Sequence, residues 1–270
     1  MEKHFFEPSH ADFSKDLNLD HSLLDDLFFD SSEGRIHAWL LKAKGVRKGL
    51  VLHFHGNAMN ITTHVTHVDW LINHGFDVLT WDYAGYGKSG GTPSFKGIYN
   101  QSIEVLQKAD QMRATNGGTL VVLGQSLGGT FAVSSMPNAR VSVDALVLDC
   151  VFASPKAIAA HKFFQNNRIF RTPFEWLLGT MLPAEVSIAR WISAIDCPVV
   201  FMHGIHDSVV PMDLGLRAYH QLADRESNEF LRFEAGHCEV LRSNLDGARE
   251  KLVSWLELVP LTADESDQSL

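Results

Sequence analysis

The sequence predicts an α/β fold: a mostly parallel, doubly wound sheet with an antiparallel N-terminal hairpin and a small helical cap. Three observations carry this. Apolar bursts alternate with longer amphipathic stretches over most of the 270 residues. The bursts are "GLVLHFHG" (49–56), "FDVLTWDYAGYG" (76–87), "GTLVVLG" (118–124), "DALVLDC" (144–150) and "CPVVFMHG" (197–204). They hold consecutive Val, Leu and Phe instead of alternating with polar residues, which suits strands covered on both faces. The segments between them, at about 60–74, 95–116, 126–136 and 212–223, are helix-sized and read as right-handed crossovers.

Taken in chain order, "LFFDSSEGRIHAWLLKAKG" (27–45) reads as the antiparallel hairpin, turning near Ser32-Glu33-Gly34. The five bursts supply the third to seventh strands. Residues 153–195 break the alternation, having helical spacing interrupted by Pro173 and Pro183 and no strand-like run. That insertion follows the sixth strand and carries Phe163, Phe164, Phe170, Phe174, Trp176 and Met181, so it is expected to cap the C-terminal edge of the sheet over a small apolar pocket. "NEFLRFEAGH" (228–237) is a late strand and "NLDGAREKLVSWLELV" (244–259) a closing helix. The acidic tail at about 261–270 is expected to fray, and residues 1–270 are expected to form one domain.

Bulk properties narrow the function. A formal net charge of −9 argues against nucleic acid or an anionic membrane surface as the main partner. No apolar run approaches the roughly 20 residues that span a bilayer. The opening "MEKHFFEPSHADFSKD" has no apolar core of a secretory signal. Cys150, Cys197 and Cys238 are odd in number, and no pair has metal or redox spacing. Reduced thiols in a cytoplasmic protein are expected, with a periplasmic location as the alternative if a leading segment has been removed.

The chemistry centres on "LVVLGQSLGGTFA" (120–132). A lone G-x-S-x-G is weak evidence, but here it lies between a strand and a helix, the setting of a nucleophile elbow. A Walker loop would need Lys after its glycines, and a Rossmann turn would need G-x-G-x-x-G; neither pattern is present. A serine nucleophile needs a base and a group that orients it. Asp207 follows the strand "PVVFMHG" and His237 follows "EFLRFE", so the order is Ser126, Asp207, His237, each beyond a strand's C-terminal end. Asp149 is the rival acid. In "HFHGNAMN", Asn57 N–H is placed to join Leu127 N–H as the oxyanion hole, with Ala58 in reserve and helix capping as the alternative use of Asn57. In "WDYAGYGKSGGTPS", Asp82 and its glycines are expected to fold the loop after the fourth strand beside the site, with a catalytic role for Asp82 or Tyr86 as the alternative. The His-x-x-His pairs at 64/67 and 203/206 lack the further ligands of a zinc site, so no metal is expected.

In that order and spacing, "HFHGNA", "DYAGYGKSGGTPS", "GQSLGG", "HGIHDSVVP" and "AGH" resemble the α/β-hydrolase superfamily over residues 27–258. Within it, the chain is most similar to lipid-associated serine hydrolases typified by human α/β-hydrolase-domain depalmitoylases and their bacterial esterase relatives. The resemblance implies the α/β-hydrolase fold, Ser126 as nucleophile, Asp207 and His237 completing a triad, and Asn57 with Leu127 as oxyanion hole. Gln125 stands where many relatives have another residue. Many relatives also carry an N-terminal anchor or lipidated segment; this chain shows neither, and membrane association is not indicated.

The expected activity is hydrolysis of a small-molecule carboxylic ester or thioester through an acyl-enzyme, with no cofactor. An aminopeptidase-like serine peptidase is the alternative, and would need a carboxylate for the substrate amine, for which the cap offers Glu175 and Glu185. A haloalkane dehalogenase would need Asp in place of Ser126. A non-catalytic protein keeping the fold as a ligand cup is a third reading.

Overall fold

In the computed structural model, which describes residues 5–17, 19–163, 184–222 and 225–259, the predicted bursts become strands of one sheet. In chain order they are β1 (Leu24–Phe29), β2 (Ile36–Leu41), β3 (Gly49–Phe54), β4 (Phe76–Trp81), β5 (Thr119–Gln125), β6 (Ala145–Asp149), β7 (Val199–Gly204) and β8 (Glu229–Phe233). Across the sheet the order is β1-β2-β4-β3-β5-β6-β7-β8. β2 pairs antiparallel with β1 and β4, and the remaining pairings are parallel. The chain leaves β3 toward β4 on one side and returns to place β5 on the other. The C-terminal ends of β3 and β5 therefore flank the point where the winding reverses, which is where open α/β sheets bind ligands.

β3, β4, β5, β6 and β7 are buried along their whole length, as continuous apolar runs require. Successive side chains point to opposite faces. Leu50, Leu52 and Phe54 join one core with Ile98, Leu106 and Phe131, under helices α1 (Phe95–Asn116) and α2 (Leu127–Ala139). Val51, Val121 and Val147 join the other with Trp70, Leu252 and Trp255. Helices α3 (Pro155–Phe163) and α4 (Met212–Tyr219) lie on the first side, and α5 (Ala248–Leu258) closes the second.

α1 has the predicted bounds. The Ser94 side chain accepts from Gly97 N–H at its start, and Gly117 at φ 76° ends it. The segment 60–74 is not the continuous helix its length suggests: one α turn, Ile61–His64, gives way to 3₁₀ turns Val65–His67 and Asp69–His74. Its β-branched Ile61, Thr62, Thr63, Val65, Thr66 and Val68 restrict χ1 and disfavour a regular helix. The strand expected from 76 ends at Trp81, and the glycine-rich remainder turns away. Of the expected cap, residues 164–183 lie outside the described residues, as does the tail from 260; α3 and the short helix Ile188–Trp191 flank the former.

One pairing was not expected: Glu7–Pro8 runs parallel to Ala58–Met59, laying an N-terminal arm over the loop after β3. Ser9 N–H donates to Met59 O at 3.1 Å, and Asn60 Nδ2 donates to Ser9 O and Ala11 O at 2.9 and 2.8 Å. Among the described residues, no helix is long and apolar enough to cross a membrane.

Candidate active site

β5 delivers the chain straight into α2 through one residue, Ser126, held at φ 50°, ψ −119°. Side-chain-bearing residues seldom adopt a positive φ, and the surrounding contacts must enforce it. Ser126 N–H donates to Asp149 O at 2.9 Å, tying the corner to β6. The glycines let the elbow close. A methyl at Gly124 would stand 2.4 Å from Gly129 Cα; at Gly128, 2.3 Å from the carbonyl oxygens of Phe54 and His55; at Gly129, 2.4 Å from Val151 Cγ1. The first two obstacles are backbone and cannot step aside. Gly128→Ala is therefore expected to destabilise the fold by about 1–3 kcal/mol or more, read as a lowered urea midpoint with unchanged slope. An unchanged midpoint would show that α2 does not press on β3 as described.

At the edge so formed, Ser126 Oγ–H donates to His237 Nε2 at 3.1 Å, and His237 Nδ1–H donates to Asp207 Oδ2 at 2.7 Å. Asp207 is buried in the loop after β7, and its Oδ1 accepts from the N–H groups of Val209 and Val210 at 2.9 and 2.7 Å. The carboxylate thus has one oxygen fixed by backbone and the other turned to His237. The three residues named from the sequence meet in one hydrogen-bonded row, although 111 positions separate Ser126 from His237.

The loop after β3 comes close to Ser126: a methyl on Gly56 would be 4.0 Å from Ser126 Cβ. Its carbonyls are engaged one after another. His55 O accepts from Tyr83 OH at 2.6 Å, Gly56 O from His55 Nδ1 at 2.7 Å and Asn57 O from Tyr86 OH at 2.7 Å. In a trans peptide the N–H points opposite to the C=O, so these bonds fix the directions of the Gly56, Asn57 and Ala58 N–H groups. The sequence identified Asn57 but not the positioning role of Tyr83 and Tyr86, which orient its neighbourhood. Leu127, at the first turn of α2, carries an N–H with no intrahelical acceptor.

Several candidates find structural employment. Asp82 Oδ1 accepts from Ile61 N–H at 2.9 Å and its Oδ2 from His37 Nδ1 at 2.8 Å, bracing the loop beside β4. Asp149 Oδ2 accepts from Gln125 Nε2 at 2.8 Å, while His237 uses Asp207. Gln125 is itself bound on every side, donating also to His67 Nδ1 and accepting from His53 Nε2, both at 3.0 Å. Burial holds His53 and His67 down to about 3 and about 2, so both rings stay neutral under the elbow. His203 turns its Nε2 to Val210 O at 2.9 Å, and exposed His206 bonds Glu234 at 2.8 Å, so that His-x-x-His pair does not converge.

His237 has a further neighbour. Burial opposes its charged form, but the Cys238 sulfur and then Asp207 outweigh burial and push the ring up to about 10. The Cys238 contribution exists only while that sulfur is a thiolate. Cys238 is held low by its hydrogen bond with Cys150 and by His237, whereas Cys150 is pushed up by the same bond and by burial. A neutral thiol beside a neutral ring is the proton arrangement in which Nε2 can accept from Ser126.

Against known proteins, residues 45–184, about half of the chain, match a family model described as serine aminopeptidase, S33. The chain belongs to the α/β-hydrolase superfamily. Among its α/β-hydrolase relatives, the Salmonella typhi protein YfhR, described as uncharacterized, is 30% identical over 202 residues, covering 69% of this chain and 65% of that protein. The mouse lysophosphatidylserine lipase ABHD12 is 28% identical over 214 residues, covering 76% of this chain and 53% of the lipase. The chain thus spans less than two thirds of either relative. The Pyrococcus furiosus esterase Pf2001 shares the fold with a TM-score of 0.68 at 16% identity, over 94% of this chain and 97% of that one. An α/β hydrolase from Vibrio vulnificus does so with a TM-score of 0.69 at 17% identity, over 87% and 82%.

Proposed function

We propose that this α/β hydrolase is a serine esterase acting on small carboxylic esters or thioesters. The observation that carries the reading is the row Asp207–His237–Ser126, with hydrogen bonds of 2.7 and 3.1 Å, set on a strained elbow at the sheet's winding reversal. His237 Nε2 takes the proton as Ser126 Oγ attacks the acyl carbon, while Asp207 holds the ring's tautomer and stabilises the imidazolium. The oxyanion forms facing the N–H groups of Asn57 and Leu127, with the α2 N-terminus adding its dipole. Collapse expels the alcohol or thiol, which receives the proton from Nε2. Water then attacks the acyl-enzyme with His237 again as base.

An apolar acyl group is favoured by the exposed apolar residues next to Asp207. Ile205 and Val209, on either side of Asp207 in the loop after β7, are 41% and 44% exposed. The name of the mouse relative, a lysophosphatidylserine lipase, points the same way. The aminopeptidase reading is favoured by the description of the family model. Of its two candidate carboxylates, Glu185 is exposed, with its carbonyl accepting from Trp191 Nε1, and Glu175 lies outside the described residues. A panel of p-nitrophenyl esters from acetate to long acyl chains, run beside aminoacyl-arylamides, separates the two. Turnover of esters with a preference among acyl lengths is expected; cleavage of arylamides without esters would replace this reading by the peptidase.

A further inference from the structure

We propose that Cys150, Cys238 and His237 form a site for a thiophilic divalent cation whose occupancy shuts the hydrolase off. Cys150 follows β6 and Cys238 follows His237 beyond β8, so the fold brings together two cysteines 88 residues apart. One donor atom from each of the three residues lies within 4.8 Å of the other two. Two thiolates and an imidazole are the soft donor set that Zn²⁺ and Cd²⁺ prefer over Mg²⁺ or Ca²⁺. Zinc bonds of about 2.0–2.3 Å bring tetrahedral donors to roughly 3.5–3.8 Å from one another. Closing the cluster therefore asks for side-chain adjustments of about 1 Å, within loops. Three protein ligands leave a fourth position for water.

One contact offsets the burial that opposes a Cys150 thiolate. Cys238 N–H donates to Cys150 Sγ at 3.3 Å, an outer contact that stabilises negative sulfur. Cys150 is buried and Cys238 and His237 are partly exposed, so a cation enters from the mouth of the active site. On binding, each thiol gives its proton to solvent and both metal–sulfur bonds form without any change in oxidation state. The consequence for turnover follows from the ring. His237 Nδ1 is bonded to Asp207 and Nε2 to Ser126, so coordination through either nitrogen takes one partner away. The inhibitory half of the proposal rests on His237 acting as general base; binding does not.

The test uses the full chain in a non-thiol reductant. One equivalent of Cd²⁺ is expected to produce a thiolate-to-cadmium charge-transfer band in the ultraviolet. The band should persist in Ser126→Ala and Cys197→Ala and disappear in Cys150→Ala and Cys238→Ala. Zn²⁺ should inhibit ester turnover, reversibly by chelator. Cys238→Ala, a change at a partly exposed position, should keep basal turnover yet need at least roughly 10–100-fold more Zn²⁺, the loss that follows removal of even outer-shell metal partners. No band at one equivalent in the unmodified chain, or a Zn²⁺ curve unchanged by Cys238→Ala, would overturn the proposal. A band in a protein that turns over no ester would uphold the site and count against the esterase reading instead.

Discussion

Ser126→Ala is expected to lower kcat for a short p-nitrophenyl ester by about six orders of magnitude, the loss seen when a triad serine is removed. In the proposed reaction the hydroxyl is the atom that bonds to the acyl carbon, and among the described residues its hydrogen-bond partner is His237 Nε2 at 3.1 Å. Among the described residues no other hydrogen bond uses it, and the elbow is tied through Ser126 N–H to Asp149 O. The variant should therefore keep its circular dichroism and melting temperature while losing turnover. A folded variant that still hydrolyses the ester at more than about one part in a thousand of the original rate would move the nucleophile elsewhere.

Asp207→Asn should cost about four orders of magnitude in kcat, through a different failure. Asn can still accept from Val209 and Val210 N–H with its amide oxygen, as Asp207 Oδ1 does now. Its amide nitrogen then faces His237 Nδ1 as a donor, where the carboxylate accepts at 2.7 Å. The ring is driven to the tautomer with hydrogen on Nε2, which can no longer take the Ser126 proton. Steady-state kinetics on the folded variant checks this; a loss under about tenfold would indicate that another acid, with Asp149 the obvious candidate, orients His237.

The strands were legible because burial on both faces writes itself as runs such as "TLVVL", and α1 because Ser94 and Gly117 punctuate it. Ser126, Asp207 and His237 were legible through their position beyond strand ends in a fixed order. The segment 60–74 misled, because its length is that of a helix while its β-branched residues disfavour a regular one. Tertiary meetings left no local trace. Tyr83 and Tyr86 looked like parts of a turn, and only the folded loop shows them holding the carbonyls of His55 and Asn57. The arm at Glu7–Pro8 has no periodic signal and finds its partner 51 positions on. Cys150 and Cys238 have no motif spacing, although the Cys beside the proposed base in "AGHCEV" was in plain view.

In the proposed function Ser126 is a nucleophile activated by His237 in the folded chain. Labelling with a fluorophosphonate probe, followed by peptide mass spectrometry, tests it most directly. One adduct per chain is expected, on Ser126, formed by the native protein and lost on unfolding and in His237→Ala. An unlabelled native protein, or an adduct on a different serine, would contradict it.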